Sequence, residues 1–122
     1  MQAGINKRSF ELNYNSGTIW CEHLDGIGPY EDEVIRKYME DKAAFLRPSV
    51  SSSMIIDLDK TDVTEKIIET IMTVLSESEK MFRKIAFVGV DRCWRRKLAK
   101  IKENGCLINY FTDYEKAKEW VI

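Results

Sequence analysis

The chain has 122 residues, which is the size of one domain, and we expect a single domain over residues 1–122. Apolar residues make up 44% and charged residues 32%, with two prolines and six glycines, a composition that excludes disordered, collagen-like and low-complexity proteins. Nineteen basic and twenty acidic residues give a net charge of −1, a total that does not indicate a polyanionic partner.

The first predicted element is a β-hairpin. Phe10 and Leu12 lie on one face of an alternating segment over 9–13. Turn-forming residues follow at 14–17, and a second strand is predicted over 18–24. Such a hairpin supplies an antiparallel edge, through which a homodimer could pair.

A helix follows the hairpin. Pro29 suits the first position of a helix, acidic residues at 31–33 complement the helix dipole, and Pro48 ends the helical pattern. No apolar stretch approaches the roughly twenty residues of a membrane span, and residues 1–10 lack the apolar core of a secretory signal. We therefore expect a cytoplasmic protein without a membrane span.

The remaining chain alternates apolar strands with amphipathic helices. Strands are predicted over 54–58, 84–90 and 106–111, and a helix follows each of them. The order ββαβαβαβα predicts an α/β fold with a mixed, mostly parallel five-stranded sheet and four helices.

Cap residues mark the starts of these helices. Asp62 and Glu65 have the spacing of a capping box, although Asp replaces the usual Ser or Thr. Asp91 is the predicted N-cap of the third helix, and Thr112 or Asp113 that of the last.

Three segments of this pattern resemble the STAS superfamily of sulfate-transporter and anti-sigma-factor-antagonist domains, in particular its SpoIIAA-like branch. They are Ile56-Asp57-Leu58-Asp59, Arg83-Lys84-Ile85-Ala86-Phe87-Val88-Gly89-Val90-Asp91-Arg92-Cys93-Trp94, and Tyr110-Phe111-Thr112-Asp113-Tyr114-Glu115-Lys116-Ala117-Lys118-Glu119-Trp120. The resemblance covers roughly residues 9–122. It implies a small, non-enzymatic STAS-like domain that binds a protein or a small ligand in bacterial regulation.

The resemblance does not extend to phosphorylation. Regulated anti-sigma antagonists carry Asp-Ser-Ser-Gly after the central strand, whereas the matching segment here, over 61–67, has neither Ser-Ser nor Gly. Thr64 is the nearest hydroxyl, and the adjacent Glu65 would oppose an added phosphate. We expect the hydroxyl to bond free N–H groups at the helix start instead.

The predicted binding face combines the starts of two helices that follow neighbouring parallel strands. Loops after parallel strands lie at one edge of a sheet, where α/β proteins bind their ligands. The candidate residues are Asp59, Thr61, Asp62, Thr64, Glu65, Asp91, Arg92, Trp94, Arg95 and Arg96.

Charge is strongly segregated along the chain. Residues 80–102 hold nine basic residues and one acid, a net +8, while residues 11–79 hold six basic and fifteen acidic residues, a net −9. The basic helix could meet an anionic partner, or it could simply present a solvated face. Nucleic acid is the weaker expectation, because no aromatic residues interleave with the basic ones on an exposed strand.

No catalytic or metal-binding set is complete. Cys21 and His23 could face one metal ion, but no second ligand pair accompanies them, so His23 is read as a structural residue. Asp57 and Asp59 are expected in capping and solvent-facing roles. Cys93, among arginines at a helix start, is the best candidate for a reactive thiol, but the favoured expectation is burial as a small apolar residue. We therefore expect no enzyme activity, metal or cofactor.

A second hypothesis is a carrier or sensor of a small apolar or lipid-like molecule. The helices predicted over 29–46 and 62–78 carry large apolar side chains that could line a pocket against the sheet. Ordinary core packing is the alternative. The large apolar side chains of these helices and of the following segments are Tyr38, Met39, Phe45, Met72, Met81, Phe82 and Trp94.

Overall fold

The structure is a computed structural model that describes residues 9–14, 17–24, 30–46, 53–59, 61–77, 82–104 and 106–122. The N-terminal hairpin is confirmed. Strand β1 (Phe10–Tyr14) pairs antiparallel with β2 (Gly17–His23), and Phe10 lies opposite Cys21. The two strands take in Tyr14 and Gly17, which were predicted in the turn, so only residues 15–16, outside the described residues, separate them.

The sheet has five strands in chain order, as predicted. Strands β3 (Ser53–Asp57), β4 (Lys84–Val88) and β5 (Leu107–Phe111) follow β2, and all four are mutually parallel. The strand order β1-β2-β3-β4-β5 places the antiparallel β1 at one edge. Every residue of β3 is buried, because this central strand is covered on both faces.

Four helices connect and cover the strands. They are α1 (Glu31–Phe45), α2 (Glu65–Glu77), α3 (Arg92–Leu98), which continues as a 3-10 helix (Ala99–Asn104), and α4 (Tyr114–Val121). The predicted α/β class and element order are therefore confirmed. Pro29 and Pro48, which predicted the limits of α1, lie outside the described residues. No helix within the described ranges is long and apolar enough to cross a membrane.

Two apolar cores lie on opposite faces of the sheet. The larger joins α1, α2 and the 3-10 helix to side chains such as Met54, Ile56 and Phe87. The smaller joins α4 to the intervening strand residues, because successive side chains of a strand point to opposite faces. Its buried members are Ile19, Cys21, Ile55, Ala86, Val88, Ala117 and Val121.

Helix α2 begins later than the capping-box spacing predicted. The backbone N–H of Ile67 donates to the Thr64 hydroxyl at 3.3 Å, so Thr64 rather than Asp62 holds the cap position. The prediction was wrong by two residues, because a threonine hydroxyl nearer the apolar face competes with the aspartate. The expectation that Thr64 bonds a free N–H at this helix start is met.

The starts of α3 and α4 fall where the sequence placed them. Asp91 occupies the N-cap position of α3, but its carboxylate makes no capping hydrogen bond. Asp113, rather than Thr112, caps α4, since its Oδ1 accepts from the Glu115 backbone N–H at 3.0 Å.

Candidate functional site

The carboxyl ends of the four parallel strands meet at one edge of the sheet. His23 ends β2 and Asp57 ends β3, and the two residues lie directly opposite each other in the parallel register. Hydrogen bonds continue past the strands, from Leu24 N–H to the Asp57 carbonyl and from Gly89 N–H to the Phe111 carbonyl, each at 2.9 Å. These bonds hold the segments that follow β2, β3 and β4 in fixed positions along the edge.

His23 and Asp57 form a buried pair on the face covered by α4. The Nδ1 atom of His23 lies 2.9 Å from Oδ2 of Asp57, and the other oxygen, Oδ1, accepts from the Asp59 backbone N–H at 2.9 Å. His23 is 8% exposed and Asp57 is 3% exposed. Both oxygens of the carboxylate are thus engaged in fixing the imidazole and the loop after β3.

Two aromatic rings enclose the imidazole. The Phe10 ring stacks on His23 with centroids 5.4 Å apart, and the Tyr114 ring lies at 5.0 Å with a 50° tilt. The Tyr114 hydroxyl donates to the Cys21 sulfur at 3.2 Å, which ties the start of α4 to β2. Because Phe10, His23 and Tyr114 come from three different elements, the hairpin, sheet and helix must all assemble to form this arrangement.

A cleft of about 520 Å³ opens over the pair. Helix α4 packs mainly on β3, β4 and β5, so the β1–β2 end of this face is left partly uncovered. The volume falls within the range of small-molecule sites. The cleft is lined by Phe10, His23, Asp57, Asp59, Thr112, Asp113 and Tyr114.

Gly89 fixes the position of Asp59 at the mouth of the cleft. Gly89 has a φ of 77°, a conformation that side-chain-bearing residues rarely adopt. A Cβ atom at this position would come within 2.8 Å of both the N and Cα atoms of Asp59. The close approach of the two backbones therefore requires glycine, and it holds the loop after β3 against the loop after β4.

A polar contact supports the site from outside the cleft. The Ser9 hydroxyl accepts from the His23 backbone N–H at 3.0 Å and from the Lys37 ammonium at 2.7 Å. Lys37 also donates to the His23 carbonyl at 2.5 Å. Helix α1 thereby anchors the backbone of His23 while its ring remains at the cleft.

The first group of predicted binding residues separates into two roles. Asp59 lines the cleft, whereas Thr61 donates to the Leu24 carbonyl and Thr64 donates to a Glu31 carboxylate oxygen. Asp62 and Glu65 are exposed. Of this group, Asp59 alone contributes to the lining, and the threonines connect α2 to β2 and α1.

The second predicted group lies at the same edge but on the other face of the sheet, where Trp94 joins the larger core. Asp91, Arg92 and Arg96 are exposed. Trp94 packs against the larger core, and the Arg95 guanidinium lies 4.8 Å from the centre of the Tyr110 ring. The start of α3 thus shares the carboxyl edge with Asp59, but its side chains are not among those lining the cleft.

Part of the basic segment is paired within the fold. The Lys97 ammonium lies 2.6 Å from a Glu65 carboxylate oxygen and 3.6 Å from one of Glu69. The hydrogen bond from Lys97 lowers the pKa of Glu65, and the same bond raises the pKa of Lys97. Helices α2 and α3 therefore bring residues from the acidic and basic segments into contact.

The three cysteines are free and differ in exposure. Cys21 and Cys106 are buried and Cys93 is exposed, so the favoured expectation that Cys93 is buried as a small apolar residue was wrong. Burial raises the pKa of the Cys21 thiol, and it raises the pKa of Cys106 to about 11. Cys93 lies in the first turn of α3, whose amphipathic pattern turns Trp94 and Leu98 inward instead.

Glu22 is a fully buried carboxyl group on the other face of β2. Its Oε1 accepts from the Trp20 indole N–H at 2.7 Å, and its Oε2 lies 3.8 Å from the Lys37 ammonium. Neither Glu22 Oε2 nor the buried Oδ2 of Asp41 has a hydrogen-bond donor among the described residues. Burial is the main cause that raises the pKa of Glu22 to about 9. The second cause is a hydrogen bond with Asp41, for which a proton on Glu22 supplies the missing donor.

A second groove, also of about 520 Å³, lies between α1 and α2. Its lining comes from these two helices, whereas the space between them and the sheet is filled by buried residues such as Tyr38, Phe45 and Ile71. The lining residues are Met39, Lys42, Leu46, Lys66, Glu69, Thr70, Thr73 and Val74.

Sequence reasoning missed the His23–Asp57 pair, which it assigned to structural and capping roles. Both residues lie at or near the ends of predicted strands, but the register that pairs β2 with β3 is not contained in the sequence pattern. Within the described part of the chain, no group of three or more His, Cys, Asp or Glu side chains could hold a metal ion. Comparisons with protein families, with curated proteins and with solved structures gave no match.

Proposed function

We propose that the protein is a non-enzymatic, STAS-like (SpoIIAA-like) cytoplasmic domain of bacterial regulation that binds a small ligand in the cleft over His23 and Asp57. One observation carries the proposal. A nearly buried imidazole, fixed through Nδ1 by a buried carboxylate, lines an open cleft of small-molecule size. The resemblance of three sequence segments to STAS domains supports the regulatory part of the proposal by analogy.

The surroundings of the imidazole favour binding over catalysis. A histidine–aspartate pair can activate a nucleophile, but the Ser9 hydroxyl and the Cys21 thiol are engaged in other contacts. The Ser9 hydroxyl accepts from the His23 backbone and from Lys37, and the Cys21 thiol is buried with a raised pKa. Neither Ser9 nor Cys21 is therefore placed as a nucleophile for the pair.

A steric variant tests the proposal. A fragment library of amines, alcohols and carboxylates is titrated into ¹⁵N-labelled protein while amide shifts are recorded. Binders are expected to shift the amides of His23, Asp59 and Thr112. The exposed Thr112 is replaced by Thr112→Trp to fill the cleft, with Glu119→Trp on the exposed side of α4 as the matched control.

Loss of these shifts in Thr112→Trp, together with their retention in Glu119→Trp, is the expected result. The same shifts in both variants would place binding outside the cleft. No fragment acting at the cleft would remove the proposal altogether.

A protein partner is a second candidate, favoured by the exposed arginines of α3. Arg92 and Arg96 project from a helix start at the carboxyl edge, while Lys97 is paired internally. An acidic protein surface would complement them. Reversing both charges, as Arg92→Glu with Arg96→Glu, should abolish capture of such a partner. The matched control, Arg36→Glu on α1, should leave capture unchanged. Equal capture by the double variant and the control would contradict this candidate.

The carrier hypothesis now concerns the outer groove between α1 and α2. Met39, Leu46 and Val74 supply apolar surface there, and Lys42 and Lys66 supply positive charge that suits an amphipathic anion such as a fatty acid. Thr73→Trp would fill this groove. A thermal shift caused by oleate that survives Thr73→Trp would contradict the assignment.

A further inference from the structure

We infer that the cleft takes an organic cation, an ammonium or guanidinium group carried on an apolar or aromatic body, an inference that rests on the proposed ligand-binding function. The charges of the residues that line the cleft indicate the chemical class of the ligand. Among the described residues that line the cleft, three are aspartates, one is His23, and none is a lysine or an arginine. An anionic ligand would face unfavourable charge here, and a cationic one would find complementary charge.

The imidazole presents an acceptor to the cleft. A carboxylate can only accept hydrogen bonds, so the 2.9 Å contact with Asp57 places the proton of the neutral ring on Nδ1 of His23. The other nitrogen, Nε2, then carries a lone pair. No other hydrogen bond to this ring occurs among the described residues, and the residue is 92% buried, so a ligand N–H is its natural complement.

The two remaining aspartates have acceptor capacity to spare. No described group donates a hydrogen bond to the Asp59 carboxylate. The bond between Asp59 and Asp57 is made by the backbone N–H of Asp59 instead. Asp113 uses Oδ1 to cap α4 through Glu115, which leaves its second oxygen for a ligand. The cap also occupies a backbone N–H at the start of α4 that could otherwise attract an anion.

The aromatic walls suit the apolar part of such a cation. Phe10 lines the cleft and is 39% exposed, so its ring offers apolar surface to a ligand. The faces of aromatic rings attract cations. Tyr114 already holds one, since the Lys118 ammonium lies 5.6 Å from its ring centre.

An organic cation fits better than a metal ion. No group of three or more metal-ligating side chains exists among the described residues, and an inorganic ion would make no use of the apolar Phe10 ring at the cleft. The recognition elements are acceptors and ring faces, and together they define a donor-rich ligand with an apolar body.

The test uses three probes of similar shape and different charge: phenethylamine, phenethyl alcohol and phenylacetate. Each is titrated into the labelled full chain, and shifts of the His23, Asp59 and Thr112 amides give a dissociation constant. The amine is expected to bind about tenfold more tightly than the alcohol, because charge-assisted hydrogen bonds replace neutral ones. Phenylacetate is expected not to bind at the cleft.

Matched variants assign the effect to the carboxylates. Asp59→Asn and Asp113→Asn keep the side-chain shape, and asparagine preserves the cap of α4. Each should weaken amine binding several-fold and leave alcohol binding unchanged. Asp91→Asn, at the same sheet edge but outside the lining, should change neither, and unchanged spectra without ligand verify the folding of all three.

The outcomes separate the two proposals. Equal or tighter binding of the alcohol or of phenylacetate at the cleft overturns the cation inference while small-ligand binding stands. Cleft shifts caused by zinc or magnesium ions and by none of the three probes also overturn it. If neither the probes nor the fragment library act at the cleft, the proposed function fails as well.

Discussion

We predict that the buried carboxyl group of Glu22 makes the folded protein less stable as the pH rises. Glu22 has no exposed surface, and its Oε2 and Asp41 Oδ2 both lack a donor among the described residues. One proton on Glu22 supplies the hydrogen bond that both oxygens need, donated from Oε2 to Asp41. The Lys37 ammonium, 3.8 Å from Glu22 and 3.4 Å from Asp41, balances the remaining charge.

The sign follows from where the proton is held. The pKa of Glu22 is raised from 4.5 to about 9 in the folded protein, mainly by burial. Between these values the folded state keeps a proton that the unfolded state releases, so the free energy of unfolding falls as the pH rises. The penalty is absent below pH 4.5 and complete above about pH 9. For a single group, the free energy of unfolding falls by roughly 1 kcal/mol for each pH unit between the two pKa values, and hence by several kcal/mol in total.

Glu22→Gln should remove this dependence. The glutamine amide donates to Asp41 and its carbonyl accepts from Trp20 at every pH. Urea unfolding at pH 5 and pH 8 measures the difference. The variant should match the parent within about 1 kcal/mol at pH 5 and exceed it by a few kcal/mol at pH 8. Glu119→Gln, at an exposed position on α4, is the matched control and should keep the parent slope. If Glu22→Gln keeps the parent slope too, Glu22 is ionised in the folded protein and the reasoning is refuted.

Three further predictions concern the fold and the thiols. Gly89→Ala should cost roughly 1–3 kcal/mol in urea unfolding, because φ is 77° and the new Cβ meets the Asp59 backbone; an unchanged midpoint would contradict the required close approach. Thr64→Ala should cost about 1 kcal/mol and Thr64→Ser much less, since the hydroxyl caps α2; equal losses would point to the methyl group instead. Iodoacetamide should add one group to the native protein, at the exposed Cys93, and three groups after unfolding, as counted by mass spectrometry; rapid labelling of Cys21 or Cys106 in the native state would contradict their burial.

The elements were predictable because each carries its own local signal. Alternation marked the hairpin, and the continuous apolar runs that begin near Met54 and Ile85 marked strands covered on both faces. The start of α2 was less predictable, since Asp62 and Thr64 are both good caps and only packing decides between them.

The candidate site was predictable only in part. Asp59, one of ten predicted binding residues, lines the cleft, because the carboxyl edge of a parallel sheet is fixed by topology, whereas the other nine do not line it. His23 and Asp57 are 34 residues apart and meet only through the register of β2 and β3. A shift of one residue would send either side chain to the opposite face, so the pair depends on a property that no local pattern contains.

Glu22 shows the same limit for burial. It lies between Cys21 and His23, and alternation would place it on the polar side of an amphipathic strand. All three residues are buried, because α1 covers the Glu22 face of β2 and Tyr114 of α4 contacts Cys21 and His23 on the other face. The polar residue is therefore inside, and its proton rather than solvent satisfies it.

The charge segregation along the chain acquires a different meaning in the folded protein. The −9 and +8 segments are neighbours, and Lys97 joins them through Glu65 and Glu69. The basic residues of α3 that remain exposed to solvent include Arg92 and Arg96. The cleft on the other face of the sheet is lined by three aspartates. The two surfaces would recognise partners of opposite charge. Because the Asp59 backbone lies against Gly89, one wall of the cleft is in direct contact with the loop that leads into α3.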